Sequence, residues 1–253
     1  TGHDLRGKSW PVLQAAARSL DRIILIPVTN PDGRARVPAR MLVHHGADFT
    51  VQEYLNTGGK PDGSLIGWPE CKQFIPLDFS KVQFPGGYPN DAGVNIQHDD
   101  FFGARQPETQ ALFDLAARER PDVSLNMHTG ADFPRMLRSF IEPRVAREFG
   151  VLYARVMRGL TEAGFEKTRD AEAESSLEGV ALEPFNLESA LSLHCGSVSA
   201  LIESPSHNYS SSVRDGKPVI FTPDQLIDAQ LVCHQEAMRF LAETGGRARS
   251  GPA

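Results

Sequence analysis

The feature that most constrains this chain is an alternation of short apolar runs with longer segments of helical period. Residues 23–28 read IILIPV, residues 121–128 PDVSLNMH and residues 197–204 SVSALIES. The first is short, β-branched and wholly apolar, the pattern of a strand buried on both faces. The second alternates, and the third is another apolar strand candidate. Between and around them, helices are predicted over residues 10–20, 107–120, 145–163, 186–194 and 222–241. Pro11 and Pro223 suit first helical turns, and Arg118 and Arg120 suit a last one. Strand and helix in turn imply an α/β fold with a mixed, largely parallel central sheet flanked by helices. In such sheets the chemistry gathers beyond the carboxyl ends of the strands. Three of the runs close there on polar residues: Asn30, His128 and Glu203.

From residue 41 to 92 this regularity dissolves. Asn56-Thr57-Gly58-Gly59, Pro61-Asp62-Gly63 and Pro85-Gly86-Gly87 are turn chemistry, and a stretch this long is functional or disordered. The embedded Phe74, Ile75, Leu77, Phe79, Val82 and Phe84 favour an ordered excursion. The expectation is a single domain over residues 1–244 with an irregular insert at 41–92 and a flexible tail at 245–253. The chain has 253 residues and a net charge of −6. That mild acidity argues against a nucleic-acid partner, which calls for a basic stripe. No apolar run approaches the ~20 residues of a membrane span. Three scattered cysteines exclude a disulfide framework and lean slightly toward a reducing compartment. The first residue is Thr1, and no signal-peptide pattern follows it. The expectation is a processed chain, a trimmed one or a fragment, either cytoplasmic or exported.

His128 directly follows a strand, in LNMHTG. A strand fixes the direction of such an imidazole, which makes it a good metal ligand; the alternative is a hydrogen-bonded histidine in a half-buried rim. Glu203 closes the apolar run ALIES. A carboxylate there serves as a general base in a cleft, or else caps a helix or pairs with an arginine. His98-Asp99-Asp100 reads as a polar turn before it reads as a metal site, and His44-His45 as a solvated pair. His194-Cys195 are adjacent, and adjacent side chains rarely meet at one point. GxSxG, GxGxxG, P-loop and HExxH patterns are all missing from the sequence.

The order of these signals is more informative than any one of them. Asn30-Pro31-Asp32-Gly33, Arg40, Gly93-Val94-Asn95-Ile96-Gln97-His98, His128 and Glu203 together resemble the zinc carboxypeptidases of the M14 metallopeptidase family. The resemblance covers roughly residues 10 to 240. It implies a zinc cofactor with His128 as one ligand, and Glu203 as the base that deprotonates the metal-bound water. Arg40 would steady the oxyanion and also contact substrate, and Gln97 and His98 would contact substrate. The partner is a peptide or small amide.

Two departures accompany the resemblance. The family's HxxE motif, which supplies two further zinc ligands, is missing: His3-Asp4-Leu5-Arg6 does not match it, and it lies too close to Asn30. Truncation of the amino-terminal segment is the expected reason. The family's NRN segment, which binds the substrate's terminal carboxylate, reads Asn95-Ile96-Gln97-His98 here, with His in place of the permanent fork of Arg. Recognition of a free carboxyl terminus is therefore open. The alternatives are a deacylase of small N-acyl amino acids and a non-catalytic peptide-binding module.

Overall fold

The computed structural model describes residues 2–36, 54, 56–67, 70–73, 76–130, 133–165, 177, 180–205, 212–214, 217–219 and 221–246. Its elements run α1 (Pro11–Arg18), α2 (Pro31–Arg36), β1 (Gly58–Gly59), α3 (Glu70–Gln73), β2 (Phe84–Pro85), α4 (Pro107–Glu119), β3 (Val123–Thr129), β4 (Arg135–Leu137), α5 (Ala146–Glu162), α6 (Leu187–Cys195), β5 (Val198–Ser204), β6 (Ser212–Arg214), β7 (Lys217–Val219) and α7 (Pro223–Thr244). Two compact units result: Thr1–Ile24 with Leu115–Ala253, and Leu25–Asp114.

The first unit is built on a mixed three-stranded sheet in the order β3-β5-β4. β5 is central. It runs parallel to β3, with Val123 opposite Val198 and Thr129 opposite Ser204, and antiparallel to β4, with Arg135 opposite Glu203. Side chains alternate between faces along a strand, and register partners share a face. One face therefore carries Val123, Leu125 and Met127 from β3, Val198, Ala200 and Ile202 from β5, and Met136 from β4. These join one hydrophobic core with Phe149, Leu152, Tyr153, Val156 and Leu160 of α5 and Ala229, Val232, Cys233, Ala237 and Phe240 of α7. Each fully buried side chain of this size contributes roughly 1.5–3 kcal/mol. Helices α5 and α7 approach closely at Gly159, where a Cβ would stand 2.7 Å from the Cγ of Glu236. Burial at Cys233 pushes its thiol pKa up to about 12, which suits a packing role and not a reactive one.

Local chemistry explains the helix ends. Thr222 and Gln225 form a reciprocal capping box at the start of α7, with Pro223 in the first turn. Asn186 caps α6 by accepting from the backbone of Ser189 at 3.1 Å. The sequence reading agrees with these boundaries to within a few residues. Before α1 the chain makes a small bracket around Asp4, whose carboxylate accepts from Trp10 Nε1 at 3.0 Å and from the Arg6 guanidinium. Arg6 and Lys8 then reach Asp228 of α7 at 2.6 and 2.7 Å, so the amino-terminal residues are clasped to the last helix.

Residues 23–28 are the main correction. They form no strand and are exposed, Leu25 at 75% and Ile23, Ile24, Ile26 and Val28 between 43% and 47%. A strand needs a ladder partner for its backbone groups, and among the described residues none pairs with this run. The boundary between the two units also falls inside it, after Ile24. Asn30-Pro31-Asp32-Gly33, a segment of turn-forming residues, begins helix α2. Asn30 Oδ1 accepts from Gly33 N at 2.9 Å, as a helix cap does.

The second unit holds the short β1–β2 pair, with Tyr54 stacked on Phe84 at a centroid distance of 5.0 Å. Its loop at 90–99 is organised by Asn90, whose Oδ1 accepts from the backbone of Ala92 and Val94, both at 3.1 Å. Arg40, His44 and His45 lie outside the described residues, as do residues 247–253 of the expected tail.

Candidate active site

The second face of the central sheet is polar where the first is apolar. Ser124, Asn126 and His128 on β3 share it with Ser199, Leu201 and Glu203 on β5 and Arg135 and Leu137 on β4. Helix α6 ties onto this face: its Glu188, 1% exposed, accepts a hydrogen bond from Asn126 Nδ2. The buried carboxylate sits in the first turn of α6, where the helix dipole favours negative charge.

At the carboxyl end of β5 three functional groups come into register. His128 lies opposite Glu203 on one side, and Arg135 lies opposite Glu203 on the other. Adjacent strands are about 4.8 Å apart, so the bases of the three side chains form a row across the sheet on one face. All three residues are half-buried. Glu203 Oε2 is shielded from solvent. The backbone just past β3 lies close to the carboxylate. Gly130, two residues after His128, has φ +147°, and a Cβ there would stand 3.2 Å from Glu203 Oε2. Its N–H donates to the carbonyl of Ser204 at 2.9 Å, which holds Gly130 against the end of β5. A side chain at position 130 would meet both a steric and a conformational penalty.

The sequence reading placed His128 and Glu203 at strand ends, and the register brings them side by side. It missed Arg135. The only local signal is a cation at the start of a short strand, and its position opposite Glu203 is a long-range consequence of pairing. It also missed the Asn126–Glu188 bond, for the same reason.

Gln97 and His98 belong to the second unit. They occupy a 3-10 turn, residues Ile96–His98, capped by Asn95, whose Oδ1 accepts from Gln97 N at 2.9 Å. Gln97 is buried and His98 half-buried. Asp99 is bound into the loop, its two carboxylate oxygens accepting from Asp100 N and Gln106 N, both at 2.8 Å. Cys195 closes α6 and directs its sulfur at the Leu191 carbonyl, 3.2 Å away.

Zinc needs three protein ligands in a catalytic centre. Among the described residues no three His, Cys, Asp or Glu side chains gather in one place. His128 with Glu203 beside it is the start of a donor set and not a complete one, so the described residues do not fit a zinc centre by themselves.

No family model matches the chain, and no curated protein matches it. Among solved structures the chain is similar to one titled "Crystal structure of metallo-carboxypeptidase from Burkholderia cenocepacia", at 16% identity and a TM-score of 0.43. The likeness covers 62% of this chain and 41% of that one, so the chain spans about two-fifths of that protein's length. A likeness this distant assigns no activity.

Proposed function

We propose that this chain carries the general-base side of a centre that hydrolyses a peptide or amide bond, with Glu203 as the base. The observation behind this reading is the in-register placement of His128, Glu203 and Arg135 on the polar face, at the carboxyl end of β5. The order of motifs that resembles the M14 zinc carboxypeptidases supports it independently.

In this reading the Glu203 carboxylate accepts a proton from water as the water attacks the substrate carbonyl. It then returns that proton to the leaving amine, so the base is regenerated and the amine departs neutral. The absence of a side chain at Gly130 leaves room for the carboxylate. Positioned acid–base catalysis of this kind contributes typically 10²–10⁴-fold. His128 beside the base suits a ligand to zinc, the metal the motif order implies. The remaining ligands are not among the described residues, and no step is written through the metal. The resemblance alone assigns Arg40 as the oxyanion cation and Gln97 and His98 as substrate contacts. The substrate is a peptide or a small N-acyl amino acid.

The test is turnover of unblocked peptides and N-acyl amino acids by the wild-type chain and by Glu203→Gln. Loss of about 10²–10⁴-fold in kcat/KM with an unchanged circular dichroism spectrum is expected. Turnover that persists in Glu203→Gln removes the base assignment. The preferred substrate class separates peptidase from deacylase.

A further inference from the structure

A loop can present side chains precisely only where other elements hold its backbone. The loop at residues 88–99 of the second unit is held by two helices. Helix α2 and its cap grip the entry. Asn30 Nδ2 donates to the carbonyl of Tyr88 at 2.8 Å, and Arg36 Nη1 to that of Pro89 at 2.9 Å. Asp32 accepts from Asp91 N at 3.2 Å, and Arg36 also pairs with the Asp91 carboxylate. The start of α4 grips further on. Asn90 Nδ2 donates to Gln106 Oε1 and Glu108 Oε2 at 2.9 and 3.1 Å, and Asp99 accepts from Gln106 N at 2.8 Å. Asn90 passes the constraint along the chain: its N–H donates to the carbonyl of Val94 at 2.8 Å, and its own carbonyl accepts from Gly93 N at 3.0 Å. Asn95 then caps the 3-10 turn that carries Gln97 and His98.

The grip at the entry falls on an unusual backbone. Among the described residues two that are not glycine have positive φ, Arg120 at 47° and Tyr88 at 55°. Arg120 directly follows α4 and donates its N–H to the carbonyl of Ala116, a place where helices commonly end in this conformation. Tyr88 follows no helix. Such a conformation persists where the surroundings over-determine it. Here the Tyr88 carbonyl is fixed by Asn30 and its phenol by Asn56 Oδ1. The Asn30 amide does two separable jobs, since its Oδ1 caps α2 through Gly33 N while its Nδ2 reaches Tyr88.

We propose that Asn30 is a positioning residue for substrate binding: through the Tyr88 carbonyl it sets the place of the loop whose Gln97 and His98 meet the substrate. The inference rests on the reading of Gln97 and His98 as substrate contacts. Asn30 acts through the loop and takes no part in moving the proton.

The experiment reads binding apart from turnover. The backbone amide resonances of Gln97 and His98 are followed in the full chain during titration with dialanine, an unblocked dipeptide of the proposed substrate class. Sodium chloride serves as the ionic-strength control. Dialanine is expected to shift both resonances saturably. Asn30→Asp keeps an acceptor for Gly33 N and removes the donor to Tyr88, and Asn30→Ser does the same without adding charge. Each is expected to weaken dialanine about tenfold, the scale of one hydrogen bond lost. A merely structural role would not couple to a single contact, so the double variant Asn30→Asp with Gln97→Ala decides. It is expected to bind no more weakly than Gln97→Ala alone. With a turned-over peptide, Asn30→Asp raises KM by a similar factor while kcat stays within about twofold. Fully additive losses, unchanged affinity in both Asn30 variants, or a wild-type chain whose two resonances ignore dialanine overturns the proposal. So does a fall in kcat at constant KM. If Glu203→Gln leaves turnover intact while the dialanine response still depends on Asn30, the base reading fails and the positioning role stands.

Discussion

Residues 23–28 and strand β5 both carry β-branched and aliphatic side chains, and they end in opposite environments. β5 has a partner on each side and buries Val198, Ala200, Leu201 and Ile202 at 5% exposure or less. The IILIPV run has no ladder partner among the described residues and exposes five of its six residues at 43% or more. Apolar composition therefore makes a segment competent to be a strand. Edges to pair with, and a helix layer to cover one face, make it one. β5 has both because α5 and α7 pack over its apolar face, leaving the other face for polar groups at the site.

The contrast can be tested by substitution. Ile202→Ala, at a position with 0% exposure in the central strand, is expected to cost about 2–5 kcal/mol in chemical denaturation. A loss below 1 kcal/mol would mean that the β5 core is less committed than its burial implies. Gly130→Ala probes the close approach of the backbone to the polar face. With φ +147° and a Cβ that would stand 3.2 Å from Glu203 Oε2, it is expected to cost about 1–3 kcal/mol and to lower turnover. Unaltered melting and unaltered activity together would show that Gly130 does not constrain the carboxylate.

The clasp of the first residues onto α7 gives a pH signature. Asp4 is held well below the usual carboxylate range, chiefly by the Arg6 guanidinium, against an opposing effect of burial. Burial acts upward on Asp228, and the bonds from Lys8 and Arg6 outweigh it, so that group is also lowered. A folded-state value below the unfolded one near 3.9 stabilises the protein at neutral pH, and that contribution declines as pH falls below about 5. Melting temperature should therefore drop between pH 5 and pH 3, and less steeply in Asp4→Asn. Parallel curves would dissociate the clasp from acid sensitivity. The smallest effect belongs to the exposed run: Leu25→Ala, at 75% exposure, should change stability by no more than about 0.5 kcal/mol. A loss comparable to that of Ile202→Ala would put residues 23–28 in a packed environment after all, and the contrast with β5 would disappear.

Much of this protein was legible in the amino-acid sequence alone. The helices at Pro11, Pro107, Ala146, Leu187 and Pro223, and the strands ending at Thr129 and Ser204, follow from local signals such as caps, prolines and periodicity. Those signals act over a few residues, so a single reading of the chain contains them. His128 and Glu203 were identified as candidates for the same reason, each closing its own strand. Only the tertiary structure decided that the two stand opposite each other, that Arg135 flanks them, and that IILIPV stays outside the sheet. Strand pairing joins segments 68 to 75 residues apart, as between Glu203 and Arg135 or His128. Its free energy depends on which edges and faces remain to be covered, which no window of sequence records.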